Sequence, residues 1–252
     1  MKKPFLMMFF FVQFFSFSIF SNAGDAKDLL FLINKNPLIS SVLTTLRDVR
    51  VKPPEFQDAA NKIATILAIK AGEFLDTEKT EVKTPTSALF KNGVRIRKNP
   101  ILVPVLRSGL SLLPSFQVFF KGATVGMVGV KRNEETAKPV LYYSNLPLIS
   151  SDDKIIILEP MLATGGSLSL VISLIKEAGA KEENIIVATV ISVMEGVERL
   201  KSQFPSIHII SAALDPYLND KWYIVPGLGD FGDRYFGNDR EPHFQGLKEL
   251  QN

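Results

Sequence analysis

The chain has 252 residues, 46% of them hydrophobic and 22% charged, a composition that closes its own core and a length that suits one domain with attachments. The formal charge is +3, and setting aside Lys2 and Lys3, which sit in a candidate leader, leaves 27 basic against 26 acidic groups; no basic stripe points to DNA or RNA. The absence of cysteine excludes disulfides, thiolate metal centres and cysteine nucleophiles, and the two histidines, His208 and His243, follow no HExxH spacing.

Lys2 and Lys3, an apolar run from Phe5 to Phe20, and then Ser21, Asn22 and Ala23 follow the charged, apolar and small-residue order of a secretion signal. Cleavage after Ala23 would leave residues 24–252 as an exported domain, periplasmic or secreted. As a helix the run would reach about 24 Å at about 1.5 Å per residue, short of the roughly 30 Å of bilayer hydrocarbon. A retained anchor is the alternative, and a membrane is a partner only in that case. A start site further along the chain would leave the protein in the cytoplasm.

Over residues 28–76 apolar side chains fall at helical spacing, as in Phe56, Ala59, Ala60, Ile63, Ile66 and Leu67, which predicts two or three helices separated by Pro53 and Pro54. Residues 77–99 turn polar and alternating, with Thr84-Pro85-Thr86 and Lys91-Asn92-Gly93 as turn signals, and predict a hairpin arm leaving the core. Strands follow over 101–105, 124–130, 155–158, 185–192 and 207–213, with helices over 110–120, 167–178 and 196–204 between them. Strands and helices alternating at these lengths predict an α/β fold with a parallel sheet covered on both faces.

The stretch from Ile155 to Ser167 combines a buried strand, an acidic residue at its carboxyl end (Glu159), and a small-residue turn opening a helix. Ligands of open α/β sheets bind at that end of the strands, and the free N–H groups of a helix start favour an anion. No lysine follows the glycines, so the GxxxxGK[ST] loop of triphosphate hydrolases is missing, and no GxSxG elbow occurs. On the glycines alone, a plain strand-to-helix turn explains the run equally well.

Glu159-Pro160-Met161-Leu162-Ala163-Thr164-Gly165-Gly166-Ser167 is similar to the loop with which uracil phosphoribosyltransferases bind phosphoribosyl diphosphate (PRPP), except that the family's usual first residue is Asp. Val103-Pro104-Val105-Leu106-Arg107-Ser108-Gly109 resembles the family's diphosphate loop, and residues 223–237 resemble its uracil-binding hood. Arg132-Asn133-Glu134-Glu135-Thr136 and Asn36-Pro37-Leu38 agree as well, in family order. Residues after Gly237 extend past the family's usual end.

The resemblance implies a phosphoribosyltransferase-type parallel sheet flanked by helices, with a protruding hairpin arm and a C-terminal hood. It implies transfer of phosphoribosyl from PRPP to uracil, giving UMP and diphosphate, with Mg²⁺ on the diphosphate. By the same resemblance Arg107 and Arg132 hold diphosphate, Glu159 accepts from the ribose hydroxyls, Ala163 to Ser167 cradle the 5-phosphate, and Pro160, Met161 and Leu162 belong to the same PRPP-binding loop. Ile224, Gly229 and Phe231 contact the base, and Asp230 faces both substrates. Some family members take GTP as effector, and a homo-oligomer is expected. A valine at Gly165 is expected to fill the space of the phosphate. Two alternatives stay open: a non-catalytic pyrimidine or PRPP binder of the same fold, and a transferase for another base.

Overall fold

A computed structural model of the chain describes residues 30–34, 36–132 and 139–238. The proposed leader, His243 and the tail lie outside the described residues. Among the described residues no helix is long and apolar enough to cross a membrane.

A short strand, β1 (Leu30–Leu32), precedes helices α1 (Pro37–Arg47) and α2 (Pro53–Gly72). The Asn36 side chain caps α1 by accepting from the Leu38 N–H at 2.9 Å, and Pro37 and Pro53 occupy first-turn positions where no amide donor is needed. The two prolines at 53 and 54 thus start a helix rather than merely separating two. β2 (Thr77–Lys83) and β3 (Leu89–Ile96) form the hairpin arm, paired only with each other. The core then runs β4 (Ile101–Leu106), a 3-10 turn at Ser108–Ser111, α3 (Leu113–Phe119), β5 (Met127–Arg132), β6 (Pro139–Asn145), β7 (Ile155–Leu158), β8 (Met161–Leu162) and α4 (Gly166–Glu177). It closes with β9 (Ile185–Val193), α5 (Met194–Gln203), β10 (His208–Asp215), β11 (Tyr217–Leu218), β12 (Ile224–Val225) and α6 (Phe231–Phe236).

The main sheet has the order β1-β10-β9-β7-β4-β5-β6, with β8 beside β9. Neighbours are parallel except β5 and β6, which are antiparallel. All nine residues of β9 are buried, as a strand covered on both faces requires. The period of two divides the strand residues between two cores. Leu102, Ile156 and Ile186 face the layer that holds α1, α2 and α3; Ile101, Ile155 and Ile185 face α4 and α5. Sequence periodicity predicts neither β1 nor β6. Both are edge strands whose apolar residues are at most partly buried; Leu30–Leu32 falls in the stretch read as helical, and the apolar run Val140-Leu141-Tyr142-Tyr143 is left unassigned.

The chain order fixes where a ligand fits. From β4 the chain steps outward to β5 and β6, then returns to lay β7 on the other side of β4 and continues away through β9 and β10. The order therefore reverses between β4 and β7. Their carboxyl-end loops diverge there and leave a crevice.

Candidate active site

Two loops border the crevice. After β4 comes Arg107, joined to Leu106 by a cis peptide bond, and then the turn that carries Ser108 and Gly109. A Cβ at Gly109 would lie 2.2 Å from the Leu158 carbonyl oxygen, so only glycine lets this turn close against the end of β7. After β7 comes Glu159, followed by β8 and the turn into α4. Gly165 caps α4 at φ 75° with no side-chain cap, and the first turn of the helix holds no acidic residue. The opening N–H groups of α4 therefore have no capping side chain, and with the helix dipole behind them they suit an anion.

The hood covers the crevice from the C-terminal side. Its position is set by charged side chains, two of which, Asp215 and Arg47, the sequence reading does not single out. Asp215, at the end of β10, accepts from Arg47 of α1 at 2.6 and 2.8 Å and from the Gly227 N–H at 2.8 Å. Arg47 in turn donates to the Gly227 carbonyl at 2.8 Å. Arg234 donates to the carbonyls of Leu46, Leu228 and Asp48, and its guanidinium lies 4.4 Å from the Phe56 ring centroid. Phe231 is buried against Phe56 at 5.2 Å. Two arginines thus tie the hood to the end of α1, satisfying carbonyls that a helix end leaves unpaired.

Within the hood, Asn219 donates its N–H to the Tyr223 carbonyl while its side chain accepts from the Tyr223 N–H. Antiparallel pairs alternate between bonded and non-bonded types, so the next pair, Leu218 with Ile224, is of the non-bonded type. The main-chain groups of Ile224 consequently point away from β11. Trp222 is held at φ 63°, a conformation that a bulky side chain seldom adopts.

These pieces enclose a cleft of about 300 Å³ lined by Glu159, by the whole run from Met161 to Ser167, and by Ile224, Gly229, Asp230 and Phe231. Ser108, Trp222 and Tyr223 also line it; Ser108 and Tyr223 sit inside the runs that carry the resemblance, and Trp222 lies one residue before the hood run. Pro160 lies behind the wall, its carbonyl accepting from the N–H groups of Val190 and Ile191 at 2.9 and 3.0 Å. Arg107 is not in the lining. Its exposed side chain instead meets Asp233 at 3.2 Å. Arg132 ends β5 on the far side of β4, and its side chain is outside the described residues.

Glu159 carries the strongest electrostatic signature of the cleft. Burial pushes its carboxyl up to about 7, bonds from Ser108 and the Met161 N–H hold it down in part, and the charge of Asp230 adds to the rise. The two carboxyl groups thus both line the cleft and sense each other.

Gly165 behaves differently from the expectation that a side chain there fills the phosphate's space. A Cβ at this position would lie 3.0 Å from the Gly196 carbonyl oxygen and 3.5 Å from Leu200, on the α5 side. Glycine is needed for its positive φ and for α4–α5 packing. Gly165→Val is therefore expected to lower thermal stability by about 1–2 kcal/mol or more, the cost of a left-handed conformation for a side chain, as well as to remove activity. A melting temperature equal to wild type, with activity lost, would return the expected steric explanation.

A family model described as uracil phosphoribosyltransferase matches residues 33–238. The chain is 39% identical over 206 residues to a uracil phosphoribosyltransferase of Dictyoglomus turgidum, covering 82% of this chain and 98% of that protein. It is 41% identical over 202 residues to that of Bacillus licheniformis, covering 80% and 95%. Among solved structures, a protein of Aquifex aeolicus superposes with a TM-score of 0.74 at 32% identity, covering 82% of this chain and 97% of the other.

Proposed function

We infer a division of labour for a chain that belongs to the uracil phosphoribosyltransferase family. The reaction is transfer of phosphoribosyl from PRPP to uracil, giving UMP and diphosphate. The observation that carries the assignment of parts is their convergence on one cleft: an uncapped helix start, a carboxyl group and a hood of exposed main chain.

In this reading residues 163–167 receive the 5-phosphate on the N–H groups of α4, and Glu159 accepts from the ribose hydroxyls. The hood aligns the base through the main chain of Ile224, Gly229 and Phe231, with Asp230 facing both substrates. A uracil ring nitrogen then displaces diphosphate at the anomeric carbon while positive charge develops on the ribose. Positioning and charge stabilisation suffice, without a covalent nucleophile.

Arg107 would leave Asp233 for the diphosphate. An exposed ion pair is worth about 0–1 kcal/mol, so a multiply charged ligand displaces it readily. Arg132 is assigned beside it by resemblance. Among the described residues no three carboxylate or imidazole groups converge. That donor set suits a magnesium ion arriving on the oxygens of PRPP and keeping its waters, rather than one held in a protein cage. Bound there, the ion would neutralise charge on the diphosphate.

The direct test is the purified chain with labelled uracil, PRPP and Mg²⁺. UMP is expected; tight PRPP binding without turnover would favour a binding protein of the same fold. Arg107→Ala is expected to raise the PRPP requirement about 10- to 100-fold, the equivalent of about 1.5–3 kcal/mol for a charged hydrogen bond. Unchanged PRPP kinetics would remove Arg107 from the site.

The reading has three further parts. A homo-oligomer is suggested by the hairpin arm, which exposes Leu89, Phe90, Val94 and Ile96. GTP as effector rests on the family resemblance alone. Export rests on residues 1–23, and the exported protein would begin at Gly24; Edman sequencing that finds Met1 on soluble cytoplasmic protein would refute it.

A further inference from the structure

We propose that Ser108 is a positioning residue: its hydroxyl fixes the Glu159 carboxylate against the ribose subsite and so makes a glutamate serviceable where the family carries aspartate. This rests on the assignment of Glu159 given under the proposed function.

The extra methylene of Glu159 adds a rotatable bond, and a carboxylate displaced by about 1 Å can cost roughly 100-fold in rate. Something must fix its place. Glu159 Oε1 accepts from Ser108 Oγ at 3.1 Å and from the Met161 N–H at 3.4 Å. The second contact is long for an N–H donor, so the hydroxyl is the tighter restraint. Ser108 is itself held from two sides. Ser111 Oγ donates to its carbonyl at 2.6 Å, and the close approach of Gly109 to the Leu158 carbonyl fixes the turn. Gly232 of α6 lies beside it, where a side chain would come into ordinary contact with Ser108 Cβ at 3.6 Å. The diphosphate loop, the PRPP loop and the hood thus meet at this one residue. Among the described residues the charged side chain that bears on Glu159 is Asp230.

The pH dependence follows with a definite sign. Glu159 serves as an acceptor for the ribose hydroxyls when ionised, so kcat/KM for PRPP should climb as pH rises through about 7. Ser108 bonds to the ionised form and holds that midpoint down; removing it moves the limb to higher pH.

The experiment is steady-state UMP formation by the full chain and the variants S108A, S108T, E159D and S108A/E159D, with PRPP varied between pH 5.5 and 9. S108A is expected to lower kcat/KM for PRPP about 10- to 100-fold and to move the acid limb upward, while S108T retains the hydroxyl and stays within about threefold. In the E159D background the shorter carboxylate lies out of reach, so the added effect of S108A shrinks to about twofold or less. An equal loss in both backgrounds would mean that Ser108 touches substrate itself and would overturn the proposal, as would an unmoved limb. If wild type forms no UMP, the functional reading fails on its own. The Ser108–Glu159 link is then read by carbon-13 NMR titration of the Glu159 carboxyl in ligand-free protein, where S108A must raise the midpoint and an unchanged midpoint sinks the link.

Discussion

Cytosine is expected to be used about 10⁴-fold less efficiently than uracil, a margin typical of sites that read hydrogen-bonding groups. Uracil presents an N–H donor between two carbonyl acceptors. Cytosine replaces one carbonyl with an amino donor and the N–H with a ring acceptor, so two main-chain groups of the hood would face like partners. The hood can impose this cost because it is rigid. Ile224 has its main-chain groups turned away from β11, and Gly227 is held on both its N–H and its carbonyl by Asp215 and Arg47. A main chain held this way cannot swap a donor for an acceptor, whereas an asparagine side chain could rotate. 5-Fluorouracil keeps the same edge and should be used. Cytosine turned over within tenfold of uracil would show that the hood does not read the base.

Asp215→Ala is expected to destabilise the fold by about 3 kcal/mol, the low end of the range for removing one partner of a buried ion pair. The side chain of Asp215 is 4% exposed and that of Arg47 is 26% exposed, so water reaches the orphaned guanidinium and softens the loss. The Gly227 N–H loses its acceptor as well. Because the pair fixes the hood, the apparent affinity for uracil should fall together with stability. Urea unfolding of Asp215→Ala, Arg47→Ala and the double variant checks this. Coupled residues should give a double variant well short of the sum of the singles, and strict additivity would show that the bridge does not act as a unit.

The sheet was legible where strands are covered on both faces. β7 is an unbroken apolar run and β9 is apolar apart from Thr189 and Ser192, and the helices between them leave few pairings open. β6 was not, although Val140, Leu141, Tyr142 and Tyr143 form a β-prone run: these side chains stay partly exposed, and the antiparallel edge they occupy breaks the strand–helix alternation by which the other strands are read. At the cleft, the small-residue turn and the carboxyl-end glutamate announced a loop by local chemistry alone. The Asp215–Arg47 bridge gave no such signal: its partners lie 168 positions apart, and each reads as an ordinary charge until the fold joins them. Gly165 illustrates the same limit. Its neighbours 164–167 are local, but what a side chain there would meet is set by α5, about thirty residues further on.

Trp222 is the only tryptophan of the chain, and it stands in the wall of the cleft, 46% exposed. The protein's entire indole emission therefore originates at the binding site. A base or nucleotide entering there displaces water from that ring, so occupancy is written directly into the wavelength and yield of the fluorescence, with no label and no background from indoles elsewhere.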